Sequence, residues 1–143
     1  MPDSKTLIAT TLTKVRFNET DSLGITWHGH YVTYFEDGRE AFGAAFGLHY
    51  LDIFNNGFVA PIVNLNCDFK KMLKYGDSVL VETTYEDSHA AKIIFKYKLM
   101  NAETKEIVAT GSTTQVFLDV VAQKLQLQQP DFFIAWKKKH QLI

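Results

Sequence analysis

One cysteine, Cys67, is all the thiol chemistry that this chain of 143 residues carries, which excludes an internal disulfide and any cysteine-based metal cluster. Cys67 stands in an apolar, strand-like run, where it reads as a small buried hydrophobe rather than a nucleophile. Charge bias is equally scarce. Fifteen Lys plus Arg face sixteen Asp plus Glu, a formal charge of -1, so there is no electrostatic footprint for nucleic acid or an anionic membrane. The one basic cluster, Lys137 to His140, reads as a solvated helix end that complements the macrodipole. No run approaches the ~18 apolar residues that span a bilayer. The opening segment MPDSKTLIATT has neither the charged nor the apolar region of a signal peptide. A soluble, cytoplasmic protein is expected. His49, His89 and His140 are too scattered for a metal site, and neither a glycine-rich phosphate loop nor a Ser–His–Asp arrangement stands out. No metal or redox cofactor is expected.

What is present is ordinary globular stock arranged in a telling order. Hydrophobic residues make up 46% and charged residues 22%, and the length suits one domain, residues 1–143. Residues 6–17 alternate as a strand does, and Thr20-Asp21-Ser22-Leu23-Gly24 ends that strand in a polar turn. From His30 the period becomes helical. Tyr31, Tyr34, Phe35, Gly38, Phe42, Ala45 and Phe46 share a stripe, the opposite side is small rather than strongly polar, and Gly47 caps the end. Such a helix reads as one surrounded by protein. After a loop through Asn55-Asn56-Gly57 come strand-like runs at 58–70, 78–86, 90–100 and 106–118, joined by short turns that make antiparallel neighbours. Pro130 opens a terminal helix that runs to about His140. The sum is α+β: one long helix packed on one antiparallel sheet. The sheet's remaining edge is a liability that a second copy of the chain would cover, so dimerisation is expected.

The stretch from Arg16 to Arg39, RFNETDSLGITWHGHYVTYFEDGR, organises the rest. Glu19-Thr20-Asp21, Gly24-Ile25, Trp27-His28, Tyr31 and Tyr34-Phe35-Glu36, closing on Arg39, resemble the hotdog-fold acyl-CoA thioesterases of the 4-hydroxybenzoyl-CoA thioesterase type. The likeness is to the branch that carries a histidine seven residues after the aspartate. It is dense over residues 15–39 and colinear to about residue 118, where Asp68-Phe69 and Gly76-Asp77 fit. The C-terminal 25 residues add little. The resemblance implies a sheet of five or six antiparallel strands wrapped around the helix, homodimers that share a sheet, and often homotetramers. Active sites lie at the subunit interface in that picture. Two positions depart from the pattern. Phe17 stands where relatives often have a tyrosine, and Lys70-Lys71-Met72-Leu73-Lys74 lacks a proline that they tend to have.

Thioester hydrolysis asks for a polarised carbonyl and a delivered nucleophile. The leaving thiolate, with a pKa of about 8.5, needs little acid help. A helix N-terminus supplies polarisation through unpaired backbone amides, here those around His28 and Gly29. Asp21 supplies the rest, as a nucleophile that forms a mixed anhydride or as a base that takes a proton from water. Taken alone, Asp21 also reads as an Asx-turn residue, and His28 reads either as a core or interface histidine or as a second catalytic group that positions water or Asp21. Trp27 and Tyr31 are core aromatics or walls of the acyl pocket. Glu36 and Arg39 read as a structural ion pair. Lys70, Lys71 and Lys74 are a solvated edge or a point-charge clamp for coenzyme A phosphates. The expected activity is acyl-CoA hydrolysis. Hydrolysis of acyl groups on acyl carrier protein, and a module that binds acyl thioesters without turnover, are the alternatives.

Overall fold

Alternation of apolar and polar side chains decides most of the sheet. The computed structural model describes residues 6–143. The first five residues, part of the segment read above for leader character, lie outside it. In chain order the elements are β1 (Ile8–Lys14), a 3-10 turn (Phe17–Glu19), α1 (His30–Phe46), α2 (Tyr50–Asn55), β2 (Phe58–Val59), β3 (Ile62–Phe69), β4 (Ser78–Glu86), β5 (Lys92–Asn101), β6 (Ile107–Val116), β7 (Leu118–Asp119) and α3 (Asp131–Lys139). Five strands form one antiparallel sheet in the order β1-β4-β5-β6-β3. Val79, Val81 and Tyr85 from β4 and Ile93, Phe95, Tyr97 and Leu99 from β5 point into the core, as their period of two requires.

Helix α1 crosses the inner face of this sheet, touching β1, β4 and β5. Its buried stripe is Tyr31, Tyr34, Phe35, Gly38 and Phe42. Gly38 lies so close to the Val81 and Thr83 side chains that a Cβ there would collide with them. The Phe35 ring stacks on Tyr97 at 4.4 Å, and the Tyr97 and Thr113 hydroxyls meet at 2.6 Å. Gly47, at φ 73°, ends the helix in the left-handed region. The expectation that α1 is surrounded by protein does not hold within one chain: Thr33, Glu36, Asp37, Glu40, Ala44 and Ala45 are exposed.

Three further expectations are corrected. The run 58–70 is not one strand. Its ladder breaks at Ala60 and Pro61, β2 pairs with β7 in a separate ribbon, and β3 forms the sheet edge with Val63 and Phe69 exposed. The loop after α1 contains α2, whose first turn is closed by His49: its Nδ1 accepts from the Leu51 amide at 3.3 Å, and its own amide donates to the Asp52 carboxylate at 2.8 Å. Lys137 is not a solvated residue. It is 1% exposed, and its ammonium pairs with Asp87 at 2.8 Å and donates to the Ser88 carbonyl at 3.0 Å. It thereby ties α3 to the β4–β5 hairpin. The Trp136 indole adds a second tie, donating to the Phe46 carbonyl at 2.8 Å.

Burial pushes the phenols of Tyr34, Tyr85 and Tyr97 above the ordinary tyrosine range, with the Glu19 and Asp87 carboxylates adding to the shift at Tyr34 and Tyr85. The unfolded chain then loses these protons first as pH rises past about 10. Their contribution to stability is therefore complete below that pH and is lost above it. An absorbance titration of tyrosinate is expected to show these phenols ionising late and together with unfolding.

Candidate active site

The loop from Glu19 to Trp27 is a small hairpin pinned to the segment before β4. Asp21 and Ile25 close it through the Asp21 amide and the Ile25 carbonyl at 2.9 Å, and Trp27 donates to the Glu19 carbonyl at 3.0 Å. Its tip needs the positive φ of 78° at Gly24, a conformation natural to glycine. Thr26 donates to the Leu73 carbonyl at 2.8 Å, and Tyr75 to the Gly24 carbonyl at 3.1 Å. Beneath the hairpin lies a buried carboxylate. Glu19 is 6% exposed, and its Oε1 accepts from the Arg16 amide at 2.8 Å and the Tyr34 hydroxyl at 3.0 Å. This anchor fixes how the chain enters α1.

Asp21 is held as an Asx turn: Oδ1 accepts from the amides of Leu23 at 2.8 Å and Ile25 at 3.3 Å. Its Oδ2 has no partner among the described residues, and the side chain is exposed. At the start of α1 the amides of His30 and Tyr31 are taken by the carbonyls of Trp27 and His28 at 3.0 and 3.2 Å. The amides of His28 and Gly29 have no hydrogen-bond partner among the described residues. A cleft of about 290 Å³ opens here, lined by Thr26, His28, Tyr31, Phe69, Lys70 and Lys71 among others. Asp21, Trp27, Gly29 and Lys74 are not part of its wall. Within one subunit, then, the carboxylate of Asp21 does not face the cavity that His28 faces.

A match to the thioesterase-like superfamily model runs over residues 15–136. The chain belongs to the thioesterase-like superfamily. It is 31% identical over 128 residues to YneP of Bacillus subtilis (strain 168), which carries the provisional name acyl-CoA thioesterase; the match spans 87% of this chain and 92% of YneP. It is 28% identical over 123 residues to the 1,4-dihydroxy-2-naphthoyl-CoA hydrolase of Nostoc punctiforme, covering 85% of this chain and 81% of that one. In structure it superposes on a DHNA-CoA thioesterase from Staphylococcus aureus with a TM-score of 0.81 at 30% identity, over 94% of this chain and 92% of that one. The sheet wrapped around α1 is thus the hotdog fold.

Each side chain singled out from this superfamily member's sequence has a definite place. Trp27 is exposed, and its ring lies over Gly29, where a Cβ would strike it; it also sits 4.9 Å from the His28 ring. Tyr31 is buried. It lines the cleft, and its hydroxyl donates to the Lys71 carbonyl at 3.3 Å and accepts from the Leu73 amide at 3.2 Å. Lys71 pairs with Glu106, which holds that carboxyl below the usual range, so its ammonium is already partnered. Lys70 and Lys74 are exposed. Sequence reasoning missed Thr26, a buried hydroxyl with no hydrogen-bond partner on the cleft wall. It also missed Phe69, whose ring packs edge-on against His28 at 6.2 Å and Tyr31 at 5.0 Å. Alternation along β3 placed Phe69 on a face but could not say that the face ends in a cleft. Among the described residues, no three His, Cys, Asp or Glu side chains gather as metal ligands do.

Proposed function

We propose that the protein hydrolyses acyl-CoA thioesters to the free acid and coenzyme A, in the cytoplasm, as a homodimer whose active sites are completed at the subunit interface. The observation that carries the reading is the pair of unpartnered amides at His28 and Gly29 beside an apolar cleft. A thioester oxygen that gains charge would accept from them, and each donor of this kind is worth about 3 kcal/mol. Asp21, with Oδ1 fixed by two amides and Oδ2 free, is the nucleophile or the base that activates water, and His28 orients the attacking group. Phe17, Leu23 and Trp27, close to Asp21 in the chain, are exposed, and a second subunit that covered them would raise the carboxylate's reactivity by excluding water. The exposed β3 edge gives that second subunit its docking strand.

The test is release of free thiol from a panel of CoA esters. Stoichiometric thiol release with acid formation supports the reading, and binding without release contradicts it. Activity confined to carrier-protein thioesters would move the substrate assignment and leave the chemistry. Thr26→Val keeps the shape and removes the unpartnered hydroxyl. We expect about tenfold lower kcat with no loss of thermal stability, because a buried unpaired hydroxyl favours folding less than a methyl does. Unchanged kcat would take Thr26 out of the site. Lys70 and Lys74 are assigned to coenzyme A phosphates. Replacing both by alanine is expected to raise KM for CoA esters about fivefold, the scale of an exposed ion pair, and to leave kcat alone.

A further inference from the structure

Glu19 is a buried carboxylate, 6% exposed, without a counter-ion. Among the described residues no lysine, arginine or histidine pairs with it. Its Oε1 is met by two neutral donors, the Arg16 amide and the Tyr34 hydroxyl. As an anchor for the start of α1 it needs no charge, because a glutamine carbonyl would accept the Arg16 amide equally well. Burying an unpaired carboxylate costs far more than burying a neutral amide. The charge therefore answers a need beyond anchoring, and the group that feels it is the Tyr34 phenol.

A carboxylate holds a phenol proton more firmly than a neutral acceptor does. With its proton committed to Glu19, the Tyr34 oxygen has only lone pairs left to offer. Thr26 is the neighbour that can use them. Its hydroxyl lies near enough to the phenol to favour the ionised form, against the burial and the carboxylate that oppose it. Thr26 is 5% exposed and stands on the cleft wall, and its hydroxyl makes no hydrogen bond of good geometry. Catalytic hydrogen bonds are often long or misaligned until substrate tightens them.

The cleft is short of acceptors. The His28 and Gly29 amides and the Lys70 and Lys71 ammonium groups donate. The Tyr31 hydroxyl is engaged by Lys71 and Leu73. Hydrolysis, with or without an anhydride, ends with attack by water, and that water needs an acceptor for the hydrogen that it keeps. Thr26 Oγ1, with its own proton turned toward the Tyr34 oxygen, has its lone pairs free for this.

We infer that Thr26 holds the attacking water by that hydrogen, and that Glu19 and Tyr34 are positioning residues that fix the direction in which the Thr26 hydroxyl donates. The inference rests on the thioesterase reading and deepens it with residues behind the cleft wall. In the step itself the water oxygen bonds to the acyl carbon. One water proton goes to the base, Asp21 on the direct route and His28 on the anhydride route. The bond from the acyl carbon to sulfur, or to the Asp21 oxygen of the anhydride, breaks and its electron pair leaves with that atom. Thr26, Tyr34 and Glu19 neither gain nor lose a proton.

The test is a cycle of variants of the full-length protein, read as kcat and KM on the CoA ester that the wild type hydrolyses best, with melting temperature measured alongside. Tyr34→Phe keeps the ring and removes the phenol oxygen. It is expected to lower kcat about fivefold and to leave KM within about twofold. Thr26→Val lowers kcat about tenfold, and the pair together is expected to do no worse than Thr26→Val alone, because both act through one hydroxyl. Thr26→Ser, which keeps that hydroxyl, is expected to recover most of the loss. A packing role for Tyr34 would instead give independent effects, a combined loss of about fiftyfold, and that result overturns the inference. So does Tyr34→Phe with the kcat of the wild type, or a loss that falls on KM. Should Tyr34→Phe not fold, Glu19→Gln, which keeps an acceptor for the Arg16 amide, takes its place in the same cycle. Failure of the thioesterase reading shows separately, as wild-type protein that releases thiol from no CoA ester, and that result overturns the inference too.

Discussion

Asp21→Asn is expected to lower kcat on CoA thioesters by about a thousandfold and to leave thermal unfolding and ester binding unchanged. The reason lies in the two oxygens' separate duties. Oδ1 accepts from the Leu23 and Ile25 amides and shapes the turn; an asparagine carbonyl does the same. Oδ2 has no structural partner, and it is the atom that the substitution replaces with an NH2 group that neither attacks a carbonyl nor takes a proton. The effect is therefore chemical and not structural. A variant that keeps its rate within threefold would remove Asp21 from the mechanism and move the search for the base to His28 on the cleft wall.

Gly111→Ala is expected to cost about 3 kcal/mol of stability, the largest single effect anticipated in the fold. Gly111 pairs with Tyr97 on β5 and Cys67 on β3. A Cβ there would lie 2.5 Å from the Asn66 carbonyl oxygen and 2.5 Å from the Phe35 ring. Neither neighbour can give way. The carbonyl belongs to the β3–β6 ladder, and Phe35 is fully buried and stacked on Tyr97. The strain would pass to β3, the strand proposed to join subunits, so the variant should also dissociate more readily. Calorimetry and sedimentation on the same sample check both outcomes. An unchanged melting temperature would mean that Phe35 is less firmly packed than its contacts indicate.

Much of this molecule was legible in its sequence, for physical reasons that also mark where legibility stops. Strands β4 and β5 alternate strictly, and a period of two has one structural meaning. The stripe from Tyr31 to Phe42 has a helical one. By contrast, α2 leaves no trace in the pattern, because Tyr50–Asn55 is too short for periodicity to register, and its start depends on a histidine acting as a cap. A basic run at a helix end is normally solvated, and the burial of Lys137 follows only from the hairpin that brings Asp87 and Ser88 over it. The site divided in the same way. The order of Asp21, Gly24, His28 and Tyr31 announced a turn leading into a helix and the chemistry to look for there. Which of them share a cavity depended on the 70–74 segment folding against Thr26 and Tyr31, a contact between residues some forty positions apart that no local pattern encodes.

Where the thioester oxygen sits decides the chemistry. Asp21→Asn, being able to bind but not to turn over, allows an intact acyl-CoA to be held in place while backbone 15N and amide proton shifts are followed. Binding is predicted to move the His28 and Gly29 amide signals strongly downfield in proton, as two previously unpartnered donors gain a hydrogen bond. Saturable binding that leaves both signals where they were would contradict it.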